Sequence, residues 1–500
     1  MLEGTDNSKD DEVCMIGICG QGGIGKSTLA MALYNELSQN FEGRCCFLSD
    51  IRENEKLVGL ASLQGKFMSK IFGGSEPMNK DNGINLMKKR LGSNKVFLIL
   101  DDVDHARQLE AFTANRRKNE EWFMPGSKII VTTRNKEVLL QHGINEEDIY
   151  YPEGLGIKHS LQLFCRHAFS SHQPSAEFDE LSRKVVKVAG GLPLALIVFG
   201  SFFYDIKDKR EWEDKLEILK RDQHEDILKR LRISYDGLHN HREKCVFLDI
   251  ACFFIGWHKE HPVYMWEGCG YAPNTTLKVL QHRSLIKINE GGFLEMHDQI
   301  RDMGRMIVQE EGSNEPLKYS RLWIAEDVSK VSMLRDNNIQ GLHWSGDDIK
   351  RLRWEAMEAM PSLRTIIAGA VDTRTENQED ASQGEYGDGG TSDNEEASEG
   401  EEMRLPKSTK LLCWRWCRRK TLTFHNGRHE HLLVLDLQYG QFRRLESLNM
   451  AFPMLKALDL SHCSSLIRTP EFTHLDCHSL VELDESIGQL KALVFLSMKS

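Results

Sequence analysis

Four short apolar runs punctuate the first 150 residues, each followed by a stretch whose apolar positions fall at helical spacing. The runs are Val13–Cys19, Cys45–Leu48, Val96–Leu100 and Lys128–Thr132. Short apolar runs alternating with helical segments predict the buried strands of a parallel α/β sheet. After the first run, Leu29, Ala32, Leu33 and Leu37 recur as one face of a helix. From about Pro152 to Arg221 the strand signals stop, and Leu161, Phe164, Cys165 and Ala168 mark helical structure. Between about Asp226 and Val328 a mixed pattern returns. There Ser284–Ile288, a Gly291-Gly292 turn and Phe293–Met296 predict a β-hairpin that feeds a helix.

Helices closing on that hairpin suggest a winged-helix module. Beyond Ile339 the pattern changes again. Leu455-x-x-Leu458-x-Leu460-x-x-Cys463-x-x-Leu466 fits the leucine-rich-repeat template. The turn before it carries Leu432-x-x-Leu435-x-Leu437, so that 437 to 460 is one repeat of 23 residues. Leu493-x-x-Leu496-x-Met498 begins another, and the short step from Cys463 to Cys477 implies a shortened unit. Stacked repeats need about three units to bury a core, so this array is expected to be barely sufficient.

Length and charge sharpen the picture. A chain of 500 residues is expected to hold several domains. Within 371–402 there are twelve acidic residues and one basic, Arg374, a net −11 that equals the charge of the whole chain. The remainder is charge-balanced and offers no basic excess for nucleic acid. The acidic Gly/Ser-rich tract itself is expected to be a disordered, solvated loop, with a regulatory docking site as the alternative. A local basic run, Arg415–Lys420, interleaves with Trp414, Trp416 and Cys417 and reads as the edge of a repeat surface, with nucleic-acid contact as the alternative. The twelve cysteines show no C-x-x-C pair. Cys413, Cys417 and His425 could be imagined around zinc, but a four-ligand set is missing, so reduced thiols of a cytosolic protein are expected. The acidic N-terminus is not a signal peptide. The longest apolar stretch, Leu192–Phe203, is too short to span a bilayer, and Asp249 interrupts the run Cys245–Ile255.

The candidate chemistry begins at Gly20-Gln21-Gly22-Gly23-Ile24-Gly25-Lys26-Ser27, which fits G-x-x-x-x-G-K-[ST] and is followed by Thr28. A strand running into a Gly-rich turn and then a helix aims backbone N–H groups and a helix N-terminus at one point, where a polyphosphate is stabilised. Lys26 would reach the β- and γ-phosphates, and Ser27 would give a hydroxyl to Mg²⁺. Val96–Leu100 ends in Asp101 and Asp102. Asp101 stands where a carboxylate would hold Mg²⁺, and Asp102 where it would orient or activate the attacking water. Ile129–Thr133 leads to Arg134, either a sensor of the γ-phosphate or a surface arginine at a strand end.

Taken together, these stretches resemble a known family. Gly20–Ser27, Leu100–Asp104, Gly126–Arg134, Gly191-Leu192-Pro193-Leu194-Ala195-Leu196 and Met296-His297-Asp298 stand in the order of the NB-ARC module, the nucleotide switch of plant nucleotide-binding leucine-rich-repeat immune receptors. Asp104, Phe41–Phe47 and Phe247–Phe254 look like the subclass that usually carries a TIR domain. The resemblance covers roughly 11–330. It implies a multidomain α/β architecture: an N-terminal tail at 1–12, a P-loop NTPase sheet of STAND/AAA-like type at 13–151, a helical domain at 152–225, a winged-helix domain at 226–335 and a short leucine-rich-repeat solenoid at 336–500.

The resemblance also implies roles that spacing alone does not give. Pro193 would pack near the adenine, and His297 would reach the β-phosphate of ADP from the winged helix. Read by themselves, Gly190–Pro193 is a turn between helices, His297 an ordinary capping-region histidine and Asp298 an N-cap. The implied function is an ADP/ATP switch with slow hydrolysis in the cytoplasm or nucleus. Its expected partners are a pathogen effector or guarded host protein on the repeats, and other receptors of the class in homo- or hetero-oligomers. About a dozen residues precede the first strand, so no TIR or coiled-coil output domain is expected in the chain as read. A truncated receptor acting as adaptor, decoy or helper, and a conventional turnover ATPase, stand as alternatives.

Overall fold

A computed structural model describes residues 12–73, 83–113, 122–204, 206–221, 227–313, 315, 318–324, 328, 338–344, 360–369, 405–417, 421–424, 429–446, 452, 454–463, 465–466 and 495–497. The acidic tract 371–402, His425, Lys420, Cys477, Leu493 and Met498 lie outside them. Among the described residues one compact unit runs to 221 and a second starts at 227.

The first unit begins with a five-stranded parallel sheet. Its strands are β1 (Cys14–Cys19), β2 (Cys45–Leu48), β3 (Phe97–Val103), β4 (Lys128–Thr133) and β5 (Ile149–Tyr150), in the order β2-β3-β4-β1-β5. The four expected strands are present, and the two-residue β5, too short for a periodic signal, is added at the edge. The connecting helices are α1 (Lys26–Leu37), α2 (Ile51–Phe72), α3 (Gly83–Leu91), α4 (Ala106–Phe112) and α5 (Lys136–His142). Alternation along the strands divides the core in two. Leu98, Leu100, Ile129 and Val131 join one cluster; Phe97, Ile99 and Ile130 join the other. Leu29, Leu33 and Leu37 of α1 pack on the second cluster as expected, but Ala32 is exposed, and Ala30 and Tyr34 complete the face.

Four helices follow: α6 (Ile157–Phe169), α7 (Asp179–Ala189), α8 (Pro193–Phe203) and α9 (Lys209–Arg221). α8 is apolar on every side, which places it at the centre of a bundle. It crosses α6 closely at Gly200, where a Cβ would lie 2.7 Å from His167 Cβ. Trp212 closes the bundle against Phe164, Phe169, Phe178 and Phe203.

The second unit opens with α10 (Ile227–Asp236), α11 (His241–Asp249), a π-helical turn at Ile250–Phe254, α12 (Glu260–Gly268) and α13 (Pro273–His282). The expected hairpin follows as antiparallel β6 (Lys287–Ile288) and β7 (Leu294–Glu295), and it feeds α14 (Asp298–Glu311). Next comes a parallel ladder of β8 (Arg321–Leu322), β9 (Gly341–Trp344), β10 (Thr365–Ala368), β11 (Leu411–Trp414), β13 (Val434–Asp436), β15 (Ala457–Asp459) and β16 (Phe495–Ser497), stacked in chain order. A second, two-stranded ribbon pairs β12 (Thr421–Thr423) with β14 (Arg444–Glu446). Leu411 faces Val434 and Val434 faces Ala457, steps of 23 residues each. Thr365 faces Leu411 across 46 residues, a separation that contains the acidic tract. The template positions Leu432, Leu435, Leu437, Leu455, Leu458, Leu460, Cys463 and Leu466 are all buried.

The same period governs a stack of rings. Trp416 and Tyr439 lie 4.3 Å apart and Tyr439 and His462 4.5 Å apart, nearly parallel, each at positive φ one repeat after the last. Arg415 departs from the expected surface role. It is buried, pairs with Asp436 at 2.8 Å and lies over the Trp257 ring. Cys413 and Cys417 are buried free thiols.

Candidate nucleotide site

β1 ends at Cys19, and the loop begins with the Gly20 N–H donating to the Thr133 carbonyl at 3.2 Å. That bond ties the loop to the end of β4. Gly23 and Gly25 take φ of 79° and 98°, values L side chains rarely adopt. At Gly25 the left-handed turn starts α1 directly, and its carbonyl accepts from Leu29 N–H at 2.9 Å. At Gly23 a Cβ would lie 2.8 Å from the Cβ of Leu194. The first turn of α8 therefore rests on the loop, and Leu194 N–H donates to the Gly23 carbonyl at 3.2 Å. A helix-end donor is satisfied by the loop itself. Pro193 holds the first position of α8, where its missing N–H costs nothing, in keeping with the turn read from the sequence.

Lys26 is buried and donates from Nζ to the Gln21 carbonyl at 3.1 Å, across the loop it closes. Burial pulls its ammonium below the ordinary lysine value, against the attraction of Asp102 and Asp101. Ser27 Oγ donates to Asp101 Oδ1 at 2.8 Å, and Thr132 Oγ1 donates to the same oxygen at 2.5 Å. Burial pushes the Asp101 carboxyl above the usual carboxylate range, while these two donors oppose the shift. Gln21, Ser27 and Thr28 are exposed, Gly22 and Ile24 buried.

Asp102 owes its direction to an irregularity. The β3–β4 register shifts between Leu100 and Val103, and Asp102 has φ of 53°. A regular strand would turn consecutive side chains to opposite faces; a bulge re-aims one of them. Asp102 N–H donates to Thr132 Oγ1 at 2.9 Å. Its Oδ2 accepts from Arg52 Nε at 2.9 Å, and its Oδ1 lies 3.3 Å from Arg134 Nε. The structure thus brings Lys26, Ser27, Asp101, Asp102 and Arg134 together, along with Arg52 and Thr132, which the sequence reading missed as site residues. Thr132 had a signal, a hydroxyl two residues before Arg134 near a strand end. Arg52 had none, being one charge among several on α2.

His297 belongs to the second unit. It caps α14, accepting from Gln299 N–H on Nδ1 at 3.2 Å, and Asp298 Oδ1 accepts from the same N–H at 2.8 Å. The capping role read for His297 is present, whereas Asp298 is the first residue of α14 and not its N-cap.

The donor set fits a magnesium nucleotide. Ser27 Oγ and Asp101 Oδ1 are two hard oxygen donors 2.8 Å apart. Mg²⁺ keeps several waters and is held by one or two protein oxygens plus phosphates. Among the described residues no helix is long and apolar enough to cross a membrane.

Comparison with known proteins places these features. Residues 5–173 match the NB-ARC domain, and residues 240–312 match the winged-helix domain of Roq1-like disease resistance proteins. TMV resistance protein N of Nicotiana glutinosa is 32% identical over 497 residues, 95% of this chain and 40% of that protein. Disease resistance protein RUN1 of Vitis rotundifolia is 33% identical over 507 residues, 97% of this chain and 37% of that protein. Disease resistance protein RPV1 of the same plant is 32% identical over 507 residues, 97% and 35% respectively. The chain spans about two fifths of the length of these relatives. This chain therefore carries an NB-ARC domain followed by a Roq1-like winged-helix domain, and its homologues are plant disease resistance proteins.

Proposed function

We propose that this chain is the ADP/ATP switch of a plant intracellular immune receptor, off with ADP, on with ATP and reset by slow hydrolysis. The hydrogen bond from Ser27 Oγ to Asp101 Oδ1 carries this reading. It joins the hydroxyl beside the loop lysine to a strand-end carboxylate 74 residues away, the pairing that metal-assisted phosphate chemistry requires. The disease-resistance relatives support the setting.

In this reading Gly20–Ser27 and Thr28 cradle the phosphates, and Pro193 packs beside the adenine. His297 serves as the β-phosphate contact from the winged-helix domain. Ser27 and Asp101 would hold Mg²⁺, which when bound offsets the phosphate charge. Arg134 meets the γ-phosphate of ATP, and Asp102 orients the attacking water. We assign the domains as 13–151, 152–225, 226–335 and 336–500. The repeats take a pathogen effector or guarded host protein, and the on state assembles with itself or with other receptors. The exchanged nucleotide shifts the equilibrium only by its difference in affinity for the two states.

The test is to purify the protein, denature it and identify the released nucleotide by chromatography. Near-stoichiometric ADP is expected, and Lys26→Ala should come out empty. A wild-type protein that is empty and does not load added ADP with Mg²⁺ overturns the reading. Several turnovers per second in steady-state phosphate release would point instead to a turnover ATPase.

A further inference from the structure

We infer that Arg52 is a positioning residue for hydrolysis, holding the Asp102 carboxylate toward the attacking water while Arg134 engages the γ-phosphate. The inference rests on the switch reading above and concerns a residue outside the phosphate loop and both strand-end motifs.

Three observations carry it. First, the two carboxylate oxygens of Asp102 are divided between two arginines. Arg52 Nε donates to Oδ2 at 2.9 Å, whereas Arg134 Nε stands 3.3 Å from Oδ1. Oδ1 is the looser side. If Arg134 turns to a γ-phosphate, Oδ1 is released to a water and Oδ2 stays anchored.

Second, Asp102 needs an anchor. It leaves the ladder at positive φ, so its direction is not imposed by regular strand geometry. Without Arg52, Oδ2 would lose its 2.9 Å donor and the carboxylate would be free to turn from any water aligned with the γ-phosphate.

Third, Arg52 is itself anchored. It is the second residue of α2, and Glu55 lies three residues on. Glu55 accepts from Gln108 Nε2 at 2.6 Å and pairs with Arg107 at 2.9 Å. Gln108 is fully buried, donates to Asp104 Oδ1 at 2.8 Å and accepts from the Asp104 and His105 N–H groups. The start of α2 is thereby fastened at two places to the segment containing and following Asp102. A guanidinium delivered from such a base holds a carboxylate with little loss of freedom at the moment of reaction.

The step balances simply. The water oxygen bonds to the γ-phosphorus as the bond to the bridging oxygen breaks, and ADP leaves with that electron pair. The water proton passes to Asp102 Oδ1, with Oδ2 still accepting from Arg52.

The test is single-turnover hydrolysis and ATP affinity in the full chain for wild type, Arg52→Gln, Asp102→Asn and the double variant. Arg52→Gln is expected to slow hydrolysis at least tenfold, since a misplaced group costs up to about a hundredfold. Its ATP dissociation constant should move less than about threefold, and it should add no further loss to Asp102→Asn, because coupled residues are not additive. Should Arg52→Gln not fold, Arg52→Lys gives the same comparison, keeping the charge without the planar fork. An unchanged rate, an equal loss in affinity, or full additivity overturns the inference alone. Wild-type protein that neither binds nor hydrolyses ATP overturns the switch reading and this inference with it.

Discussion

Arg364 Nη2 donates to both carboxylate oxygens of Asp249, at 2.9 and 2.8 Å, although 115 residues separate the two. Arg321 Nε adds a bond to Oδ1 at 2.7 Å and Trp266 Nε1 one to Oδ2 at 2.9 Å. All four side chains are buried. α11 is thereby tied to β8 and to the start of β10, joining the winged-helix segment to the parallel ladder inside one unit.

Removing the carboxylate leaves two guanidinium groups buried without their anion. Asp249→Ala should therefore cost about 3–5 kcal/mol, read as a shift in the urea midpoint. Burial pushes the Asp249 carboxyl up, but Arg364 and Arg321 outweigh it and hold it below its ordinary 3.8. A carboxylate with a lowered pKa contributes stability above the unfolded value and loses it as pH falls through the folded one. The penalty of Asp249→Ala should thus stay level from pH 8 to 5 and shrink only below about pH 3.8.

Two loop glycines should respond differently to a methyl group. Gly23→Ala meets both a positive φ and the Leu194 Cβ at 2.8 Å, whereas Gly25→Ala meets a positive φ in open space. Backbone strain alone costs about 1–3 kcal/mol. Gly23→Ala should accordingly lower the melting temperature more than Gly25→Ala. Equal melting temperatures would mean that α8 yields easily to the loop.

His297→Ala separates capping from nucleotide retention. Asp298 accepts from the same Gln299 N–H that His297 does, so the helix keeps a capping acceptor. The stability loss should stay under about 1 kcal/mol. In the proposed switch the same variant releases ADP faster, which a nucleotide-chase experiment measures. An unchanged release rate would remove His297 from the proposed phosphate contact.

Asp459 should be a destabilising charge at neutral pH. Burial and the neighbouring Asp436 push its carboxyl up to about 6 from 3.8, against the donors Ser461 and Gln438. A raised carboxyl contributes stability that is full below the unfolded pKa and declines as pH rises through the folded one. Asp459→Asn should therefore stabilise the protein at pH 7.5 by on the order of 1–3 kcal/mol, a gain that fades toward pH 4. Gln438 donates to Asp459 Oδ2, and its amide can turn to offer oxygen to the new donor. Urea midpoints at the two pH values provide the check.

The sequence was most legible where function is written in adjacent residues. Gly20–Ser27 and the strand-end pair Asp101-Asp102 are local strings, and the structure joins them through Ser27. Arg52 was illegible because its partner lies 50 residues away and nothing local distinguishes it from the other charges of α2. Asp249 was visible only as an interruption in an apolar run. A buried charge needs partners, but Arg321 and Arg364 could not be named without the ladder that delivers them. Short elements escaped for a different reason. β5 has two residues, too few for a period to show. On α1, Ala32 and Ala30 were indistinguishable by hydrophobicity, and only the sheet decides which one it covers.

The 46-residue separation between Thr365 and Leu411 has a practical corollary. Closing a loop of doubled length adds only about 0.6 kcal/mol of entropy, so the chain between two rungs can lengthen at small cost. The rungs match by the residues that face one another, independent of contour length. A reporter epitope spliced into that connection should leave Ile366 opposite Leu412 and make the ladder accessible to labelling without rebuilding it.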